Sequence, residues 1–207
     1  MKKIEIKEFG GPEVLEIKNV DIGKPGQNEV LVKNLSIGIN YIDTYHRSGL
    51  YPIPLPSGIG LEACSIIEEV GSEVKLFKVG DRVTRASMPI GTYSEKQIIP
   101  EDKLVKVPDN ISDEVASCIT LKGITAEYLL HRTYQVKKGD KILYHAAAGA
   151  LGQIFCPWAN ALGAEIIGTV GSDEKIEIAK KNGCHHVINY NEKNFVEEVE
   201  KIVGKNG

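Results

Sequence analysis

The stretch that decides the fold is YHAAAGALGQIFCPWANALGA, Tyr144 to Ala164. It closes an apolar run of strand character, KILYHAA (141–147). Small residues then make a turn, and QIFCPWANALG (153–163) has helical spacing. The turn reads Ala146-Ala147-Ala148-Gly149-Ala150-Leu151-Gly152, an A-x-x-G-x-x-G spacing. Side chains this small let the main chain approach a pyrophosphate. The unpaired N–H groups at the start of the helix then face the phosphate charge. A glycine turn after a strand is common by itself. With a second strand following the helix, a dinucleotide site becomes the reading that fits.

Strand and helix go on alternating around that turn. AEIIGTVG (164–171) reads as a strand and SDEKIEIAKKNG (172–183) as a helix ended by Gly183. HHVINY (185–190) reads as a short strand and NEKNFVEEVEKIVG (191–204) as a helix ended by Gly204. Upstream, SDEVASCITLKGITAEYLLHRTY (112–134) has helical spacing, with Ser112 and Asp113 as start signals. Such alternation predicts a parallel sheet with crossover helices. The first 120 residues read differently. KIEIKEF, EVLEIKNV, EVLVKNLSIGI, CSIIEEVG, DRVTRA and YSEKQII are short alternating or β-branched runs, set apart by turns such as GGPE and GKPGQNE. YPIPLPSGIG (51–60) holds three prolines and is expected to be an extended loop. The fold class is therefore α/β. Residues 1–120 form a β-rich domain, 121–207 form half of a doubly wound sheet, and the boundary falls between 105 and 125.

Composition narrows the function classes. Apolar residues make up 42% and charged residues 26%, with a net charge of -3. No basic block favours nucleic acid. The four cysteines, at 64, 118, 156 and 184, form no C-x-x-C pair, so neither a zinc knuckle nor a disulfide framework is indicated. The N-terminus lacks the apolar core of a signal peptide, and no run approaches the roughly 18 apolar residues of a membrane span. A cytoplasmic protein is expected.

The end of the second strand selects the dinucleotide. NAD sites place Asp or Glu there for the ribose 2′-hydroxyl. Here the sequence is IIGTVGSDEK, with Gly171 and Ser172 at that point. Ser172, Lys175 and Tyr190 are candidates to hold a 2′-phosphate, with Ser172 as a helix cap and Lys175 as a solvated cation for the alternative. Asp173 and Glu174 suit the helix dipole but would repel a phosphate if turned inward. The balance favours NADPH.

GGPEVLE, GINYIDTYHRSGLYP, LPSGIGLEACSIIEEVGSEVKLFKVGDRV, LKGITAEYLL and HAAAGALGQ together resemble the quinone oxidoreductases. These are zinc-free, NADPH-dependent members of the medium-chain dehydrogenase/reductase superfamily. The resemblance covers essentially the whole chain. It implies a GroES-like domain, a Rossmann domain and hydride transfer to a small-molecule quinone. Zinc relatives carry a Cys ligand in G-x-C-H-x-D and a His ligand in G-H-E. Here those stretches read GINYID and GLE, so Asn40 and Leu61 stand in their places and no metal is expected. The resemblance puts Asn40, Asp43, Tyr45, Arg47 and Tyr51 near the nicotinamide and substrate. Tyr45, Tyr51 and Arg47 are the catalytic candidates, while Asn40, Asp43 and Thr125 contact the cofactor. The plainer alternatives are that Asp43 pins its loop, that Arg47 pairs with Asp43, and that the tyrosines pack. Glu62 reads as structural or as a remnant of the metal constellation.

Two departures stand against the resemblance. Family members continue past residue 207 with the second half of the sheet, so KILYHAA would be left as an apolar edge, and a homodimer or a complementing second polypeptide is a candidate partner. Pro157 falls inside the cofactor helix, where it leaves the Gln153 carbonyl without an amide. Its cost is about 3 kcal/mol, or a kink. A quinone reductase, an NADPH-dependent enal or enone reductase, and a non-catalytic remnant are the three functions that fit.

Overall fold

The structure is a computed structural model that describes residues 1–204. The chain divides into two compact units, Met1–Leu121 and Lys122–Gly207.

The first unit is built on antiparallel sheets. Strand β1 (Lys2–Ile6) lies between β2 (Glu16–Asn19) and the two-residue β4 (Ser57–Gly58). A second sheet has the order β7-β3-β5-β6-β8, from β3 (Glu29–Gly38), β5 (Glu62–Val70), β6 (Arg82–Ala86), β7 (Lys96–Pro100) and β8 (Val105–Lys106). The β-branched positions of these strands make its core, where Val30, Val32, Ile67, Val83 and Ile99 are buried together with Leu104. Helix α1 (Tyr41–Ser48) interrupts the strand-rich order between β3 and β4. Helix α2 (Asp113–Tyr128) starts as the sequence indicates, with the Ser112 hydroxyl accepting from the Val115 N–H, and continues into a π-helical turn at Leu129–Thr133.

The second unit holds a parallel sheet of order β11-β10-β9, formed by β9 (Lys141–Tyr144), β10 (Glu165–Val170) and β11 (His186–Asn189). Helices α3 (Gly152–Ala161), α4 (Glu174–Lys181) and α5 (Phe195–Val203) follow the three strands in turn. This is the alternation predicted from the sequence. As expected, β9 is an edge: within the described residues it pairs with β10 alone. An apolar groove of about 330 Å³ lies beside it, lined by Tyr134, Val136, Ile142, Leu143, Tyr144 and Phe155 among others.

Several boundaries differ from expectation. Pro12–Val14 is a 3-10 turn, because Pro12 fixes φ, so β2 starts only at Glu16. The proline-rich loop contributes β4, and α5 begins at Phe195 because Asn194 caps it, its side chain accepting from the Val196 N–H at 3.1 Å. Helix α3 runs through Pro157 without a break. Phe155, Cys156 and Ala159 are buried, whereas Gln153 and Pro157 are exposed. The carbonyl that loses its amide therefore belongs to the solvent-facing side, where water can hydrate it. No helix of the described residues is long and apolar enough to cross a membrane.

Candidate active site

In the second unit the glycine turn joins β9 to α3. Thr169 of β10 holds its start twice: its carbonyl accepts the Ala147 N–H at 3.0 Å, and its hydroxyl is 3.0 Å from His145 Nδ1. Gly149 N–H closes the turn on the Ala146 carbonyl at 2.8 Å. Ala146 is in the left-handed region, with φ of 57°, which is uncommon for a residue with a Cβ. Leu151 packs into the core and Gly152 is buried, whereas Gly149 and Ala150 are exposed.

A pocket of about 110 Å³ opens against this turn, lined by Ala146, Ala148, Gly149, Val170, Gly171, Lys175 and Tyr190. Tyr190 reaches back from the end of β11 so that its hydroxyl lies 2.6 Å from where a Cβ on Gly171 would be. The phenol of Tyr190 thus stands where an NAD site places its acidic side chain, and a side chain at 171 would have to displace it. Asp173 is held by Asn189, whose Nδ2 donates to its carboxylate at 2.8 Å, and it does not line the pocket. The lining thus carries one cation, Lys175, one phenol and no carboxylate. Ser172 is not part of the lining. Its carbonyl accepts the Lys175 N–H at 3.2 Å, and Asp173 rather than Ser172 occupies the cap position of α4. Thr125 lies half-buried on α2 and is also not in the lining.

In the first unit the other candidates gather on α1. Asp43 sits one turn in, where its Oδ2 accepts the Asn40 N–H at 2.9 Å and the Tyr93 hydroxyl at 2.9 Å. Its Oδ1 is buried with no partner. Burial raises the Asp43 pKa above the ordinary aspartate range, against the pull of those two bonds. Burial also pushes the Tyr93 phenol up, and the neighbouring Asp43 charge adds to this. Asn40 donates its side-chain N–H to Glu62 Oε2 at 2.9 Å, and Glu62 Oε1 accepts the Leu121 N–H at 2.7 Å. Arg47 does not pair with Asp43. Its Nε donates to the Gly10 carbonyl at 3.2 Å, and its own carbonyl accepts the Gly10 N–H at 3.1 Å, which ties α1 to the N-terminal loop. Tyr45 and Tyr51 have ring centroids 5.2 Å apart. Tyr41 extends the row edge-on, 5.3 Å from Tyr45.

Comparison with known proteins places these features. Residues 26–109 match the alcohol dehydrogenase GroES-like domain family and residues 150–207 the zinc-binding dehydrogenase family. The chain belongs to the medium-chain dehydrogenase/reductase superfamily.

Among other members of this superfamily, the chain is 50% identical over 199 residues to a quinone oxidoreductase of Pseudomonas aeruginosa, a match covering 96% of the chain and 61% of that protein. It is 47% identical over 209 residues to a 2-haloacrylate reductase of a Burkholderia species, covering 98% of the chain and 62% of the relative. The crystal structure of Escherichia coli quinone oxidoreductase complexed with NADPH superposes with a TM-score of 0.95 at 49% identity, covering 99% of this chain and 63% of that one. The chain therefore spans somewhat over three fifths of the length of the relatives it matches.

Sequence reading missed Tyr93 and His46. Tyr93 meets Asp43 from a loop 50 positions away, with no local pattern to announce it. His46 is buried on α1 beside Tyr51, its Nδ1 without a partner.

Proposed function

We propose that this chain is the major part of an NADPH-dependent quinone reductase that works without a metal. The observation that carries this is the pocket at the glycine turn, where Lys175 and Tyr190 stand beside Gly171 and no carboxylate lines the wall. The pocket fits the phosphorylated ribose of NADPH better than the free 2′-hydroxyl of NADH. The N–H groups of Ala150, Leu151 and Gly152 would receive the pyrophosphate, with Ala146 and Gly149 shaping that approach. Ser172 would add a hydroxyl at the edge of the phosphate site. When bound, NADPH supplies a hydride equivalent to an electron-poor acceptor.

Asn40, Asp43 and Thr125 are assigned to positioning the nicotinamide end of the cofactor. Tyr45 and Tyr51 are assigned to a quinone carbonyl, to which a phenol hydroxyl can donate a hydrogen bond and then a proton. Arg47 holds the aromatic row in place through its bonds to Gly10. The chemistry of the donor set supports a metal-free reaction. Leu61 has no ligand atom, and the Asn40 amide donates to Glu62. An already electron-poor quinone needs no Lewis acid to accept hydride.

Similarity to the 2-haloacrylate reductase supports a second reading, reduction of an activated alkene. Similarity to proteins named quinone oxidoreductases, at up to 50% identity, favours the first. The unpaired edge of β9 and its apolar groove support a role for a further strand, supplied by a second copy or a complementing polypeptide. The test is thermal protection of the 207-residue protein by NADPH against NADH, followed by turnover of 1,4-benzoquinone against 2-chloroacrylate. Preferential protection by NADPH with benzoquinone turnover is expected. Turnover of the acrylate alone would favour the second reading. Protection without turnover of either would make the chain a binding module, and no protection at all would sink the proposal.

A further inference from the structure

Four buried side-chain atoms among the described residues have no hydrogen-bond partner, and two of them lie one turn apart on α1. They are Asp43 Oδ1 and His46 Nδ1, on side chains of residues that are 4% and 7% exposed. Positions three apart on a helix share a face, with Cβ atoms about 5–6 Å from each other. The two atoms are also complementary: a carboxylate oxygen accepts, and an imidazole nitrogen donates when it carries the proton. Left apart, each bears a desolvation penalty that pairing removes. Asp43 is held in place, because its Oδ2 accepts the Asn40 N–H and the Tyr93 hydroxyl, both at 2.9 Å. His46 also meets Tyr51, with ring centroids 6.4 Å apart and planes inclined at 59°. Tyr51 is half exposed, and its N–H donates to the Tyr45 carbonyl at 3.2 Å, which fixes the turn that carries it. The titratable groups around His46 are Asp43 on its own helix, Tyr51 from that turn and, behind Asp43, Tyr93 from the loop between β6 and β7 and Glu62 of β5. Arg47, the next residue, is engaged with the Gly10 carbonyl.

We propose that Asp43, His46 and Tyr51 form a proton relay, in which Asp43 orients the His46 imidazole and His46 restores the proton that Tyr51 gives to the acceptor. The relay rests on the assignment of Tyr51 to the acceptor carbonyl. A quinone that has taken a hydride is an anion, one proton short of hydroquinone. The Tyr51 O–H breaks and an O–H forms on the acceptor oxygen. The phenolate then takes the proton of the His46 imidazolium, whose N–H breaks as the Tyr51 O–H reforms. Neutral His46 regains a proton from solvent through the small part of its surface that stays exposed. In sum, one hydride and one proton convert quinone to hydroquinone, and both side chains return to their starting state. Histidine suits the middle place, because its charge changes between about pH 5 and 8. His46 touches no acceptor. It is a positioning residue that acts through Tyr51, as Asp43 acts through His46.

The test has two readouts on the 207-residue protein. The first needs no nucleotide. It is nitrogen-15 NMR of labelled histidines from about pH 5 to 9, with His46 assigned through His46→Gln. The His46 ring should titrate, carry its proton on Nδ1 when neutral, and lose about half a pH unit or more from its inflection in Asp43→Asn. An inflection unmoved by Asp43→Asn, or a ring that stays neutral throughout, would overturn the proposal. The second readout is kcat with NADPH and 1,4-benzoquinone against pH. In the native protein kcat should fall about tenfold per pH unit above the His46 inflection. His46→Gln and Tyr51→Phe should each be about tenfold slower or more, and flat over that range. His46→Asn, which cannot titrate either, replaces His46→Gln if the latter does not fold. A native pH profile in the His46 variant would overturn the relay. Absence of turnover in the native protein is instead a failure of the quinone reductase reading, and the NMR titration then decides the Asp43–His46 pair by itself.

Discussion

Asn40 donates a 2.9 Å hydrogen bond to Glu62, a carboxylate with 0% of its surface exposed. The second Glu62 oxygen accepts the Leu121 N–H at 2.7 Å, so one side chain of β5 ties the start of α1 to α2. The place where zinc relatives carry a metal ligand is thus held together by a carboxylate–amide contact.

Glu62→Ala should therefore destabilise the first unit. It removes the charged acceptor that the buried Asn40 amide and the half-buried Leu121 N–H share, a loss of about 1–3 kcal/mol. Glu62→Gln keeps one acceptor oxygen and should cost less. Urea unfolding of both variants measures this, and an Ala variant no less stable than the Gln variant would contradict it.

Lys175 is the one cation in the pocket lining. If it holds a 2′-phosphate, Lys175→Ala removes a charged hydrogen bond of about 1.5–3 kcal/mol. NADPH affinity should fall about ten- to a hundredfold while NADH affinity changes little. Isothermal titration with each nucleotide decides the point. Equal losses for both would place Lys175 outside the phosphate site.

Gly152 is fixed by its surroundings. A Cβ there would lie 2.4 Å from the Ala147 carbonyl oxygen and 2.9 Å from that of Ala146, both main-chain atoms. Gly152→Ala should cost about 1–3 kcal/mol and weaken nucleotide protection. Ala150 is exposed, and Ala150→Gly should change stability by no more than about 1 kcal/mol. Denaturant titration of the pair separates backbone approach from simple glycine preference.

Asp43 gives the fold a pH dependence of defined sign. Burial raises its pKa in the folded protein above the unfolded value of about 3.9. Its contribution is complete below that value and is lost as pH rises through the raised folded value. Asp43→Asn cannot ionise. The stability of the native protein relative to this variant should decline as pH climbs from about 4. Melting temperatures of both proteins across that range test it. A difference that grows in favour of the native protein would show that the bonds from Asn40 and Tyr93 outweigh burial.

The strand–turn–helix at Tyr144 to Ala164, the helix start at Ser112 and the parallel alternation that follows were all legible in the sequence. Each rests on residues a few positions apart, where local chemistry decides the backbone. Sequence patterning also exposed the missing acid at Gly171. It did not show what fills that space. Nor could it show that Asp173 is held by Asn189, that Arg47 binds the Gly10 carbonyl rather than Asp43, or that Pro157 lies on the exposed side of α3.

What the sequence determined alone is the order of elements and the type of turn, because hydrophobic period and small-residue spacing act over one or two turns of chain. Tertiary structure decided which charges face the pocket and which are held away from it. It also brought Tyr93 to Asp43 and Glu62 to Asn40. Those contacts form only when packing brings distant segments within the few ångströms over which hydrogen bonds act.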